Sequence, residues 1–460
     1  MWGRLTALAA VAVGVGFVIT EAIVLNARIR DYDEGVYWQS IRAMARGEPL
    51  FRSVFASQPP LFYEALLPFY WVGRSLISLR IAVLILGLAG LAATYVVGRL
   101  VAGPVAGLIA LVLAATSPLY VHQSATVQAD GPAVAIAMVA VALALGAVRS
   151  DGRWRDGLAL ASGLALSLSI GTKLLGVVAL IPIGLVILAT PRGRGRLAMA
   201  CVIGGIIGMV IVLLPALASP RAAYDQLVLS HLRAGQSEGT LGGNLKILLL
   251  HRELPLEALA AVGIVLAAWR RDRAIIMPVA WTVASVLAML FYHPLFPHHL
   301  VMLSLMLALV AAVGLRNLQS LGGLNGVLAV GLVLATASAG AFVTFRDLQQ
   351  ALTRDLHDAE MTAAVQSTSR PGEFWISDNP FAVAAAARDI PGPLVDTSGQ
   401  RTRAGLLTVG DLEATRIRYN VRWVLVDSFR LDAVPSFRVW LNEHFHAVQN
   451  LGGEAVIYAR

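Results

Sequence analysis

The chain of 460 residues is 57% hydrophobic and only 14% charged, with a mean hydropathy of +0.71. Soluble globular chains carry about 25% charged residues, so an ordinary water-soluble enzyme is excluded. A disordered chain and a disulfide scaffold are excluded too, because apolar content is high and Cys201 is the single cysteine.

The formal net charge of +8 divides unevenly: residues 346–460 hold 12 Arg against 14 acidic residues, so residues 1–345 carry all the excess. That excess lies in short loops between apolar runs, which reads as membrane topology and gives no sign of a nucleic-acid partner. The length fits one polytopic membrane domain followed by one soluble domain.

A membrane-crossing helix needs about 20 mostly apolar residues. Eleven stretches meet or approach that: 5–25, 77–98, 104–121, 131–148, 157–172, 174–190, 197–218, 256–269, 274–292, 298–315 and 323–345. The first is too long for a removable signal and lacks a small-residue cleavage site, so it is expected to be an anchor. The fifth and eighth are short, and either can be re-entrant. With Met1 in the cytoplasm, the inner loops collect Arg4, Arg99, Arg149/Arg153/Arg155, Arg192/Arg194/Arg196, Arg270/Arg271/Arg273 and Arg316. Every short-loop cluster then falls on one side, as the positive-inside rule requires. The expectation is a multi-pass protein of the cell (plasma) membrane, with a cytoplasmic N-terminus and, because eleven is odd, an outer C-terminal domain.

The first outer loop, 26–76, has its own pattern. Tyr37, Ile41, Met44 and Ala45 share one helical face, which predicts a short amphipathic helix lying along the membrane surface and ended by Gly47 and Pro49. A second apolar stretch, Leu61–Trp71, follows Gln58-Pro59-Pro60. After residue 345 the periodicity changes. Phe374–Ser377, Pro393–Asp396 and Val421–Asp427 read as strands, Pro380–Arg388 and Asp411–Tyr419 as helices, and His446–Leu451 with Glu454–Ala459 as a hairpin turning on Gly452-Gly453. The expected division is therefore a transmembrane domain, 1–345, and a soluble α/β domain, 346–460.

The unusual polar residues gather at the outer ends of the spans: Asp31-Tyr32-Asp33-Glu34, Asp130, Lys173 and His298-His299. Ionisable groups at membrane depth are costly, so they tend to be paired and functional. Each also has a plainer reading. Asp31 or Asp33 can simply cap a helix, and Asp130 before Gly131-Pro132 can be a turn residue. Lys173, one of two lysines in the chain, can snorkel to the interface. His298 and His299 can be interfacial polar residues, and their spacing from His293 is only loosely that of a metal site. Asp31, Asp33 and Glu34 are as able to ligate a divalent ion as to act in proton transfer, so a metal cofactor stays open. No phosphate-binding glycine loop and no cysteine pair for a metal is present.

Asp33-Glu34-Gly35-Val36-Tyr37 after a first span, then Gln58-Pro59-Pro60-Leu61-Phe62-Tyr63, resembles the polytopic GT-C glycosyltransferases. The likeness is to their protein mannosyltransferase and aminoarabinose transferase branch, glycosyltransferase family 39-like. Ala129-Asp130-Gly131-Pro132 is similar to that branch's second acidic position, and His293-Pro294-Leu295-Phe296-Pro297-His298-His299 to its late outer loop.

The resemblance implies sugar transfer, with inversion, from a polyprenyl-phosphate-linked donor to a hydroxyl of a lipid, polysaccharide or protein on the non-cytoplasmic side. It implies Asp33 as base, with Glu34 as its partner or a metal ligand. The family's basic residue near the Pro element is Gln58 here, a neutral amide, so the phosphate contact is expected from Lys173, Arg233, His298 or His299, and Gln58 and Asp130 are expected to help bind the donor. The chemistry suits these types: the acceptor hydroxyl must be deprotonated and phosphate charge neutralised. Two other classes compete. A transporter or flippase of a lipid-linked or anionic solute would show repeated halves and mid-span charges, and neither is visible. A non-catalytic protein with a ligand-binding outer domain is the third.

Overall fold

The computed structural model describes residues 2–25, 31–237, 240–249, 253–319, 323–353 and 356–460. Seven of its helices are long and apolar enough to cross a membrane: Arg4–Ile23, Leu76–Ala102, Asp130–Ala147, Arg194–Leu217, Arg273–Leu290, Pro297–Leu318 and Gly323–Gln350. The stretch expected at 104–121 is a bent pair, Pro104–Ala115 and Pro118–Ser124, turned by 70°. Pro118 cannot extend the preceding ladder, and the new helix start is capped twice. The Ser117 hydroxyl accepts from Tyr120 N–H, while Glu253 accepts from the Ser117 hydroxyl at 2.6 Å and from Leu119 N–H at 3.0 Å. The stretch 174–190 is shorter than expected. A 3₁₀ turn, Leu174–Ala179, leads into helix Leu180–Leu188.

The compact units do not follow chain order. The first contains Met1–Ala27, Arg80–Leu213 and Leu241–Gln349; the second contains Arg28–Leu79, Leu214–Thr240 and Gln350–Arg460. Residues 28–79, placed with the membrane half on sequence grounds, thus fold with the C-terminal segment.

The first unit is a helix bundle whose centre is Pro297–Leu318, almost all of whose residues are buried, with the largely buried Asp130–Ala147 beside it. Its outward faces are apolar: Leu8, Val11, Ile19, Val202, Ile206 and Val210 are all exposed. That is the reverse of a water-soluble surface and suits hydrocarbon. Close helix approach rests on small residues, as is usual where lipid supplies no hydrophobic drive. A Cβ on Gly163 would overlap the Cys201 carbonyl, and one on Gly204 the Leu160 carbonyl.

The second unit carries a four-stranded sheet of order β1-β2-β4-β3, with β1 Trp375–Ser377, β2 Trp423–Val426, β3 His446–Asn450 and β4 Val456–Ala459. β1 and β2 are parallel, and the other two pairings are antiparallel. The strand expected at Pro393–Asp396 does not form. Pro391 and Pro393 donate no hydrogen bonds, and the Arg401 guanidinium binds the carbonyls of Pro393 at 2.8 Å and Asp396 at 2.6 Å, leaving a 3₁₀ turn, Gly392–Leu394. Helix Phe437–His444 has no counterpart among the expected elements.

The outer-loop helix forms as Tyr32–Ala45 and ends beside Gly47 at φ +91, with ten of its residues buried. Tyr37 packs edge-on against Phe62 and Tyr63 of helix Pro60–Gly73, with ring centroids at 4.8 and 5.9 Å. On another side Trp38 meets Phe381 of helix Pro380–Ala385.

Candidate functional site

Four of the singled-out residues come together inside the helix bundle. Asp130 is the first residue of helix Asp130–Ala147 and has no exposed surface; at that end the helix dipole favours a carboxylate. Lys173 follows helix Gly152–Thr172 in extended conformation, which turns its side chain inward, and it is 4% exposed. Its Nζ lies 3.2 Å from Asp130 Oδ2. Lys173 therefore does not snorkel. It neutralises a carboxylate whose removal from water would otherwise be prohibitive.

Beside this pair, the rings of His298 and His299 are 4.4 Å apart, and nitrogen atoms of both lie within 4.8 Å of an Asp130 oxygen. The Asp130 Oδ1 and both amide atoms of Gln123 have no hydrogen-bond partner among the described residues. Gln123 was not anticipated; its only sequence signal is a glutamine at the edge of an apolar run.

Asp130, His298 and His299 lie as close as metal ligands do, yet they do not fit a catalytic zinc well. The Phe296 N–H donates to His299 Nδ1 at 3.0 Å, which leaves the neutral ring's proton on Nε2 and makes that atom a donor. Lys173 already occupies one oxygen of Asp130. Two ligands then remain, fewer than the three protein ligands usual for a catalytic zinc. An ammonium with imidazole N–H donors is instead the chemistry that binds a phosphate.

Asp33, Glu34, Gln58 and Arg233 belong to the second unit. Asp31, not Asp33, is the N-cap, accepting from Asp33 N–H at 2.9 Å. Asp33 is thus relieved of the capping role, and its carboxylate stays half-buried in the first turn. Glu34 is fully buried, Gln58 is 8% exposed and Arg233 is exposed on helix Ser230–Ser237.

What positions Asp33 was not visible in the sequence. Gln39 donates to the Arg388 carbonyl at 3.0 Å and accepts from Ile390 N–H at 3.2 Å. Arg42 forks onto Asp389 at 2.7 and 2.9 Å, and the Tyr32 hydroxyl accepts from Thr397 N–H at 2.8 Å. Every one of these ties the helix to a segment some 350 residues later.

Asp378 and Asp427 follow the carboxyl ends of β1 and β2. Burial raises the Asp378 carboxyl to about 6 against the pull of hydrogen bonds from Asp427 N–H, Ser428 N–H and the Ser428 hydroxyl.

The sequence pattern of the family described as dolichyl-phosphate-mannose-protein mannosyltransferase matches residues 57–218. That span includes Gln58, Asp130 and Lys173, and leaves out Asp33, His298 and His299. No curated protein matches the chain. Among solved structures, ArnT from Cupriavidus metallidurans bound to undecaprenyl phosphate has a TM-score of 0.72 at 14% identity, covering 100% of this chain and 98% of that one. The oligosaccharyltransferase of Archaeoglobus fulgidus in complex with Zn and sulfate has a TM-score of 0.52 at 14% identity, covering 96% of this chain and 72% of that one. AglB, the archaeal oligosaccharyltransferase from the same organism, with an inhibitory peptide and a dolichol-phosphate, gives 0.53 at 13%, covering 98% and 74%. From end to end, this multi-pass membrane protein resembles GT-C glycosyltransferases in fold.

Proposed function

We propose that the protein is a membrane glycosyltransferase that moves a sugar from a polyprenyl-phosphate-linked donor to an acceptor hydroxyl on the non-cytoplasmic side, with inversion. The observation that carries the reading is the buried Lys173–Asp130 pair with His298 and His299 beside it. A cation held in a water-poor site with imidazole donors would take up the charge that develops on a departing phosphate.

In this reading the Asp33 carboxylate accepts the acceptor's hydroxyl proton. The new O–C1 bond forms as the C1–O bond to phosphate breaks, and polyprenyl phosphate leaves with the negative charge. Lys173, His298 and His299 hold that phosphate in place of the family's basic residue at Gln58. Asp130 orients Lys173. Glu34, fully buried, is assigned a supporting role.

The orientation and span count are part of the same proposal. To the seven long helices and the bent pair, Gly152–Thr172, Leu174–Leu188 and Leu254–Arg270 add three crossings, giving the odd count that puts the C-terminal segment outside.

The test is incubation of the purified protein with a panel of polyprenyl-phosphate sugars, scoring release of polyprenyl phosphate. At least one donor is expected to turn over, and Asp33→Asn is expected to cut that rate by about 10²–10⁴-fold, the usual share of a general base, with the melting temperature unchanged. Release from no member of the panel, or near-normal turnover by a stable Asp33→Asn protein, overturns the transfer reading or the assignment of its base, respectively.

A further inference from the structure

In the second unit a cavity of about 400 Å³ opens at the carboxyl ends of β1 and β2. That is where open α/β sheets bind ligands, and the volume falls within the range of small-molecule sites. Nothing in the transfer chemistry above uses it. Three aromatic rings line it, those of Tyr32, Phe381 and Phe429, and Phe429 stands 53% exposed. Asp427 and Asp358 add carboxylates. The one cation of the lining, Arg430, is already engaged: its guanidinium lies 4.1 Å from the Tyr32 ring centroid and donates to the Ser428 hydroxyl at 3.1 Å.

From this lining we infer that the cavity binds a saccharide that is uncharged or carries an amine, the sugar portion of the acceptor. Ring faces pack on the C–H faces of a pyranose, and carboxylates accept from hydroxyl or ammonium groups. Carboxylates that outnumber the single guanidinium repel a phosphorylated or otherwise anionic ligand. The identity of the ligand as acceptor rests on the transfer reading; the site itself does not.

The test uses the full chain in nanodiscs free of sugar detergents, with methyl α-D-glucopyranoside, D-glucosamine and glucose 1-phosphate as probes, followed by saturation-transfer NMR and titration. The first two are expected to bind and the third to fail, and Phe429→Ala and Asp427→Asn are each expected to weaken binding at least tenfold. Phe429 is exposed, so its variant keeps the test valid if Asp427→Asn does not fold. Equal binding of glucose 1-phosphate, no binding of any probe, or unchanged affinity in Phe429→Ala overturns the inference. Polyprenyl phosphate release is scored in parallel. Binding without turnover leaves this site standing and sinks the transfer reading, and turnover without binding does the reverse.

Discussion

A lysine with 4% exposure inside an apolar bundle is costly, and Asp130 meets it at 3.2 Å. Removing one partner of such a pair leaves an uncompensated buried charge and costs about 3–5 kcal/mol, whereas replacing both by neutral groups is often close to neutral. Lys173→Ala is therefore expected to lower both the melting temperature and, by about one to three orders of magnitude, donor kcat/KM. The paired variant Lys173→Met/Asp130→Asn separates the two effects. Stability should return while turnover stays low, because the phosphate has lost its cation. Recovery of both would reduce the pair to a structural role. Lys173 and Asp130 were each legible as oddities, a rare lysine and an acid before Gly-Pro. Their partnership across 43 residues was not, since nothing in a linear pattern says which two helix ends meet. Gln39 is illegible for a different reason: its partners are backbone groups, which every residue has.

Helices were readable wherever one physical signal dominated, and misread where two competed. The apolar runs declared themselves by length alone. At Pro393–Asp396 the apolar residues suggest a strand, but the proline rings fix the backbone and Arg401 Nη1 takes the carbonyls of Pro393 and Asp396. For helix Tyr32–Ala45 the spacing gave the element correctly, and its burial exceeded what one apolar face foretold, because glycine creates a second face. A Cβ on Gly35 would overlap the Phe381 backbone, so this residue lets the helix that carries Asp33 seat against Pro380–Ala385. Gly35→Val is expected to destabilise the second unit by about 1–3 kcal/mol, the cost of overpacking, and to reduce turnover with it. Gly157→Ala, a helix position with open space around it, provides the contrast: it should be neutral or stabilise by a few tenths of a kcal/mol up to about 1. Equal melting temperatures for Gly35→Val and wild type would remove the close approach as the reason for glycine there.

At the scale of the whole molecule, topology depends on a parity that hydropathy alone leaves open. Seven helices pass any reasonable test of length and composition, and the bent pair makes eight. Gly152–Thr172 is diluted by serine, glycine and a charged first turn, and Leu254–Arg270 has only 17 residues. Charge supplies what hydropathy does not. Arg153 and Arg155 stand at one end of Gly152–Thr172, and Arg270, Arg271 and Arg273 at one end of Leu254–Arg270. If either helix failed to cross, arginine clusters would alternate sides, against the bias that sets orientation during insertion. Crossing by all three added helices keeps every cluster on one side, and on that proposal the sheet-bearing segment is expected on the side opposite the arginines. Single cysteines at Asp151 and at Glu454, both exposed positions, in a Cys201→Ala background, test this on intact cells with an impermeant thiol reagent. Position 454 is expected to label and position 151 to label only after the membrane is opened. Labelling at 151 without labelling at 454 would reverse the proposed orientation, and with it the proposed side of transfer.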